Sequence, residues 1–98
     1  MKSYLIVNAT ANLDNQEAIQ KYSEGVLPLL LEAGGKPPIR AQLDHVIKGK
    51  AAYTLFLFME FPDQQPILDL FESEEYQKLL PYREKAFNDL NIYTFQDL

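Results

Sequence analysis

The 98-residue sequence has no cysteine, no tryptophan and only one histidine, His45. Without cysteine the chain has neither a disulfide framework nor a thiolate metal ligand, and one imidazole cannot build a multi-histidine metal site within a chain. The lack of cysteine is typical of proteins in a reducing compartment, so we expect a cytoplasmic location. Membrane-length apolar runs and a recognisable signal peptide are also missing, so we expect no membrane partner.

Basic residues are in the minority, since nine Lys and Arg stand against fourteen Asp and Glu and give a formal net charge of −5. This balance argues against nucleic acid as a partner, because a nucleic-acid-binding surface is normally basic. The hydrophobic and charged fractions, 47% and 23%, are those of an ordinary globular domain. No repeat or linker divides the chain, so residues 1–98 are expected to form one domain.

The hydrophobic pattern predicts the element order β-α-β-β-α-β. This order is typical of a ferredoxin-like α+β domain, in which a four-stranded antiparallel sheet has its helices on one face. The predicted strands cover residues 4–9, 38–48, 53–61 and 91–95. The predicted helices cover residues 15–33, 64–71 and 74–90, with a kink at Pro28 and a break at Pro81. Asp14 or Asn15 and Ser73 are the expected N-caps, and Gly34-Gly35 ends the first helix.

The strands carry bulky apolar side chains on both faces, although helices cover only one face in such a fold. In the third strand Leu57 and Met59 alternate with Phe56 and Phe58. A face of four six-residue strands covers about 380 Å², near the upper end of the apolar area that monomers expose. We therefore predict a two-fold homodimer whose protomers pack sheet to sheet. The alternative is that loops and termini of the same chain cover both rows.

Arg83 lies on the apolar stripe of the last predicted helix, seven residues after Tyr76 and four before Phe87. A guanidinium directed at a core needs a carboxylate or a ligand anion. Glu60, at the end of the third strand, is the predicted protein partner. Two interpretations stay open. Arg83 either fixes the helix through an ion pair or extends to solvent, or it serves as an anion or carbonyl clamp in a pocket.

Three further side chains are candidates for a site, each with an ordinary structural alternative. His45 can act as a general base, because its reference pKa is about 6.5, or it is a surface residue of a strand. The Tyr22 hydroxyl lies on the buried side of the first helix and needs a partner from protein or ligand. Asn8 either presents its amide to a cleft or makes an Asx-turn. The sequence contains no recognisable nucleophile motif and no glycine-rich phosphate loop.

Several short motifs carry a family resemblance: residues 4–7, Pro28 before Gly34-Gly35, Arg40, Glu60-Phe61-Pro62, and residues 73–83 with Tyr76 and Arg83. With them the whole chain resembles the domain-of-unknown-function 1330 family of the dimeric α/β-barrel superfamily. The sequence departs from the family at Pro37-Pro38 and at Ala41-Gln42, where glycines tend to follow the family's arginine. The resemblance implies a ferredoxin-like protomer in a dimeric α/β barrel with facing sheets, and it adds Arg40 and Tyr76 to the candidate ligand-binding residues.

The wider superfamily includes cofactor-independent enzymes of small cyclic compounds and haem-degrading enzymes. The latter pair an asparagine with a tryptophan and a histidine. Asn8 is present here, but tryptophan is absent and His45 lies on a different element, so we expect no cofactor.

Two functions follow from these residues. One is a cofactor-free enzyme for a small carbonyl or aromatic compound, with Glu60 or His45 as base and an arginine that stabilises an enolate-like anion. The other is a non-catalytic binding or interaction protein in which the Arg83–Glu60 pair is structural. An open cleft of a few hundred Å³ that holds both charged groups favours the first function. A sheet closed near Arg83 favours the second.

Overall fold

The computed structural model describes residues 1–98 as a four-stranded antiparallel sheet with its helices packed on one face. The strands are β1 (Ser3–Ala11), β2 (Ile39–Gln42), β3 (Leu55–Phe61) and β4 (Phe87–Gln96). The helices are α1 (Gln16–Glu32), α2 (Gln65–Glu72), α3 (Glu74–Gln77) and α4 (Leu80–Ala86). None of them combines the length and apolarity that crossing a bilayer requires. The strand order β2-β3-β1-β4 confirms the predicted ferredoxin-like α+β fold.

The core lies between the helices and one face of the sheet. Leu5, Met59 and Phe61 point into it from the two central strands and are fully buried. They form one cluster with Ile67 of α2 and Tyr76 of α3. Leu5 pairs directly with Met59 across the β1–β3 ladder. Because paired residues share a face, this register determines which side of the sheet meets the helices.

The opposite face of the sheet, here called the open face, is not covered by a helix. Its side chains are Tyr4, Ile6, Asn8 and Thr10 of β1, Ile39 and Ala41 of β2, Phe56, Phe58 and Glu60 of β3, and Asp89, Asn91, Tyr93 and Phe95 of β4. The Tyr4 ring stacks on Phe58 with centroids 5.5 Å apart. Phe56, Tyr93 and Phe95 are 40%, 43% and 53% exposed. Large apolar side chains therefore lie on both sides of the sheet, as its alternation predicts, and on the open face they meet solvent beside polar residues such as Asn8, Asp89 and Asn91.

Helix α1 begins and ends where its capping residues predict. Asn15 is the N-cap, and its side-chain oxygen accepts a hydrogen bond from Ala18 N at 3.1 Å. The helix continues without interruption through Pro28, whose ring lies on the exposed side. The helix is therefore not interrupted at the proline where the sequence predicts a kink. Gly34 follows the helix with φ of 102°, a left-handed conformation that favours glycine.

The last predicted helix is two short helices, and it ends earlier than the apolar spacing predicts. Ser73 caps α3 as predicted, with its hydroxyl accepting from Tyr76 N at 3.2 Å. Pro81 lies in the first turn of α4, where its missing N–H costs nothing, so the separation falls before it. Helix α4 ends at Ala86, and β4 begins at Phe87 rather than at residue 91.

The second strand is much shorter than predicted. It pairs with β3 only from Ile39 to Gln42, and a hydrogen bond from Leu43 N to Thr54 O closes the ladder. Residues 43–52, here called the arm, then leave the sheet, and every one of them is exposed. The predicted turn at Gly49 is present, with φ of 91°. No ladder bonds join the two sides of the arm, so it is not a continuation of either strand.

Candidate functional site

Two buried tyrosine hydroxyls and one arginine form a hydrogen-bonded chain between three helices. Tyr22 of α1 and Tyr76 of α3 bring their hydroxyl oxygens to 2.8 Å, and both residues are buried. Arg83 of α4 donates from Nη1 to the Tyr76 hydroxyl oxygen at 3.2 Å. Its guanidinium carbon also lies 5.8 Å from the centre of the Tyr76 ring. The Tyr22 hydroxyl thus finds the partner that the sequence requires, and that partner is protein.

Tyr22 and Arg83, the two ends of this hydrogen-bonded chain, keep their ordinary charge states. Burial raises the pKa of Tyr22 strongly, and its hydrogen bond to Tyr76 raises it further, so the hydroxyl stays neutral. Burial lowers the pKa of Arg83, but its bonds to Tyr76 and to Glu84 outweigh that effect and raise it overall. Arg83 is therefore a permanent cation that is anchored on a neutral phenol rather than on a buried carboxylate.

Arg83 borders an open cleft of about 450 Å³ between the end of α4 and β4. Phe87, Leu90 and Ile92 form its apolar walls, and Glu84 and Asp89 lie among its polar lining residues. The Arg83 side chain is 30% exposed. A guanidinium has five N–H donors, and Arg83 uses one on Tyr76 and one on the exposed Glu84 carboxylate at 3.3 Å. The other three donors have no partner in the protein.

An irregularity in β4 shapes this cleft. Thr10 pairs with Asp89 and Ala11 pairs with Phe87, so Asn88 is an extra residue without a partner in β1. The bulge turns Phe87 to the helical side of the sheet. Its ring meets Tyr22 edge to face, with centroids 5.7 Å apart.

Glu60 does not pair with Arg83, and this expectation is wrong. Strand alternation places Glu60 on the open face opposite Tyr4, whereas Arg83 lies in the helical layer. Lys36 and Lys2 reach the Glu60 carboxylate instead, and Lys2 does so at 3.6 Å. The hydrogen bond from Lys36 is the main cause that lowers the pKa of Glu60. The site predicted around Glu60, Arg83 and Arg40 therefore does not form within one protomer.

The depressed pKa of Glu60 predicts a loss of stability in acid. Its folded-state pKa lies below the ordinary value of 4.5, so its contribution to stability is present above about pH 4.5 and is lost as the pH falls through the folded pKa. In urea titrations at pH 7 and pH 3, Glu60→Gln is expected to lose less stability between the two pH values than wild type. Glu32→Gln, at an exposed carboxylate without an ion pair, serves as control. Equal pH dependence of wild type and Glu60→Gln contradicts this assignment.

His45 and Asn8 lie together but apart from Arg83. Both line a groove of about 660 Å³ between the arm and the end of the open face, with Tyr53 and Phe56. His45 is on the arm and not on a strand, because β2 stops at Gln42. Asn8 lies within β1 and makes no Asx-turn. This groove shares no lining residue with the Arg83 cleft.

Arg40 lies on the exposed edge strand β2, opposite Leu57. It makes no ion pair or side-chain hydrogen bond, and it lines neither of the two cavities. Of the seven candidate residues, the structure thus links Arg83, Tyr76 and Tyr22 by hydrogen bonds, with Arg83 alone of these three lining the cleft, and it places His45 with Asn8 at a separate groove.

Comparison with solved structures shows the fold. A protein of unknown function from Rhodopseudomonas palustris superposes with a TM-score of 0.81 at 16% identity, over 99% of this chain and 82% of that chain. A Dabb family protein of ferredoxin-like fold from Mesorhizobium loti gives 0.70 at 14% identity, over 99% and 97%. A dimeric protein of unknown function and ferredoxin-like fold from Bacteroides fragilis gives 0.65 at 9% identity, over 98% and 96%.

The family is shown by sequence rather than by these remote structural similarities. No curated protein matches the chain. The family model described as a domain of unknown function, DUF1330, matches residues 2–96. That match spans nearly all of the chain, including the arm, the two tyrosines and Arg83. The chain therefore belongs to the DUF1330 family.

Proposed function

We propose that this protein is a homodimer that binds a small carbonyl or aromatic compound in the cleft beside Arg83. The observation that carries the proposal is the anchored guanidinium, held by Tyr76 at the border of a cleft of about 450 Å³ that has both apolar and polar lining residues. Small-molecule sites typically combine apolar walls with a few fixed polar groups, and cavities of about 300–1,000 Å³ are usual for them.

The surroundings of Arg83 favour one class of ligand over others. The apolar wall of Phe87, Leu90 and Ile92 suits an aromatic ring or a short hydrocarbon. The Glu84 carboxylate also lies at the cleft, and it repels a highly charged anion. The carbonyl or phenol oxygen of a compound with at most one negative charge therefore fits this cleft better than a dianion.

Binding is better supported than catalysis. Neither Glu60 nor His45, the two bases considered for an enolate mechanism, lines the Arg83 cleft. A cofactor-free enzyme would place its base within hydrogen-bond reach of the substrate proton. A purely structural arginine is the second candidate, because Tyr76 and Glu84 already engage the guanidinium.

The homodimer is supported by the open face. Ile39, Phe58, Ile6 and Tyr93 form an uninterrupted apolar row across all four strands. Aromatic side chains of this kind are enriched at protein interfaces. The structurally similar Bacteroides fragilis protein is described as dimeric, which supports the same assembly here.

Thermal unfolding with small probes tests the binding proposal. We expect 4-hydroxyacetophenone or benzoate to raise the Tm of wild type, and the dianion phthalate to raise it less. A ligand at ten times its Kd adds about 1.4 kcal/mol, which is a shift of several degrees for a domain of this size. Arg83→Met should abolish the shift, whereas Lys85→Met, which removes an exposed cation from the same helix, should keep it.

Two outcomes contradict the binding proposal. If no probe at millimolar concentration shifts the Tm of wild type, the Arg83 cleft does not bind this class of compound. If Arg83→Met loses several kcal/mol of stability and responds to the probes as wild type does, the arginine is structural.

A further inference from the structure

The arm exposes more apolar surface than its own chain can cover. Leu43, Val46 and Ile47 are 45%, 41% and 96% exposed, so the Ile47 side chain lies wholly in water. Complete burial of such a side chain is worth about 1.5–3 kcal/mol. Apolar groups that project this far from a folded domain indicate a surface that packs against something outside the protomer.

The arm is continuous with the open face. It leaves the sheet between β2 and β3 at the end where Asn8 and Phe56 lie, and its groove has these two residues among its lining. Five residues out and five back reach about 16 Å beyond the sheet if they are extended. A molecule that packs on the open face therefore meets the arm as well.

The area of the open face favours a contribution from the arm. The sheet face alone, with thirty residues in its four strands, presents about 480 Å², whereas a stable protein–protein interface buries about 800 Å² on each partner. Ten exposed arm residues, among them the large apolar side chains Leu43, Val46 and Ile47, are the adjoining surface that can supply the difference.

The charge distribution indicates that the arm packs against a second copy of this chain. The arm contains Lys48, Lys50 and Asp44 and has a net charge of +1. Since the whole chain has a net charge of −5, the rest of the chain has a net charge of −6. A basic arm and an acidic body attract one another between two copies of one chain. In a two-fold dimer this contact is made twice.

We infer that the arm, residues 43–52, packs on the body of a second copy of this chain and completes the dimer interface. The inference rests on the homodimer of the proposed function and adds to it a second contact surface, distinct from the sheet face. Ile47 is the anchor, and Lys48 and Lys50 lie beside it.

Sedimentation velocity from nanomolar to micromolar concentration tests the arm. Wild type should approach twice the protomer mass of 11.3 kDa. Ile47→Asp should raise the dimer Kd more than tenfold, because each dimer then buries two carboxylates. Leu68→Asp is the matched control, since Leu68 is 42% exposed on α2, away from the arm and the open face. It should dimerise like wild type.

A single fluorescent label gives an independent measurement. The chain has no cysteine, so Ile47→Cys and Leu68→Cys each accept one environment-sensitive dye. Dilution through the dimer Kd should shift the emission of the dye at position 47 towards that of an exposed dye and leave the dye at position 68 unchanged.

The outcomes separate the arm from the dimer itself. The arm inference is wrong, and the sheet-to-sheet dimer stands, if wild type is dimeric, Ile47→Asp has the same dimer Kd as wild type, and the emission of the dye at position 47 does not change on dilution. A position-47 dye that responds to small probes but not to dilution places the arm over its own groove and overturns the inference. A wild-type monomer at all concentrations overturns both.

Discussion

Phe56→Glu is expected to convert the proposed homodimer into a monomer of 11.3 kDa at micromolar concentration. Phe56 lies on the central strand β3 and is 40% exposed in the protomer, so a glutamate there remains hydrated in the monomer. In a sheet-to-sheet dimer the same position is covered. Two-fold symmetry then buries two unpaired carboxylates, each at a cost of several kcal/mol. Since about 1.4 kcal/mol is a factor of ten, the dimer Kd should rise at least 100-fold.

A control of equal exposure separates this effect from a general loss of stability. Leu68 is 42% exposed on the helical side, so Leu68→Glu places the same charge in a similar environment of the protomer. It should sediment as wild type does. Sedimentation equilibrium and urea unfolding of both variants are the measurements. If Phe56→Glu and wild type associate equally, the open face is not the dimer interface.

Phe61→Ala is expected to destabilise the protein strongly. The Phe61 ring is fully buried between the sheet and the helices, and its packing is tight. A Cβ placed on Gly35 would lie 2.8 Å from Phe61 Cζ and 2.6 Å from Met59 Cε. Truncation of such a phenylalanine costs about 3–5 kcal/mol, a large part of the about 5–15 kcal/mol that stabilises a domain.

Urea unfolding at one fixed protein concentration measures this loss, because the stability of a dimer depends on concentration. The midpoint should fall sharply for Phe61→Ala with an unchanged slope. Leu31→Ala, at a residue that is 44% exposed on α1, should stay within about 0.5 kcal/mol of wild type. A Phe61→Ala variant as stable as the Leu31→Ala control contradicts the assigned core.

The sequence predicts the fold well because its local signals agree with one another. Asn15 and Ser73 cap helices because their short side chains accept hydrogen bonds from the first turn. Alternation in β3 predicts two apolar faces, and the register with β1 bears this out. These signals depend only on neighbours in the chain, and tertiary packing reinforces them.

The candidate site is predicted only in part, because it depends on which face and which element each residue occupies. Tyr76 and Arg83 stand seven residues apart, and that spacing brings them together even across the break between α3 and α4. The same spacing does not predict that Arg83 donates its hydrogen bond to the Tyr76 hydroxyl and not to the Glu60 carboxylate. Lys2 and Lys36 reach Glu60 from other segments of the chain, which no local motif indicates.

The predicted ends of the last helix and of the second strand are wrong. Phe87 and Leu90 continue the helical apolar spacing, which predicts that they belong to the last helix, yet they lie on β4 and line the cleft. The polar pair Asn88-Asp89 was the signal that the helix had stopped. Val46 and Ile47 are β-branched and apolar, which predicts that the second strand continues through them, but no strand of the protomer pairs with them.

Because Asn88 has no partner in β1, the pairing of β4 with β1 and the direction of the Phe87 side chain are determined separately. Insertion of one residue between Thr10 and Ala11 would give Asn88 a partner and let β4 pair evenly with β1, and regular alternation would then turn Phe87 away from the aromatic ring of Tyr22. The hydrogen bonds between the two strands would survive, and the recess beside the guanidinium would lose a wall. Sheet integrity and cavity shape can therefore change independently at this point.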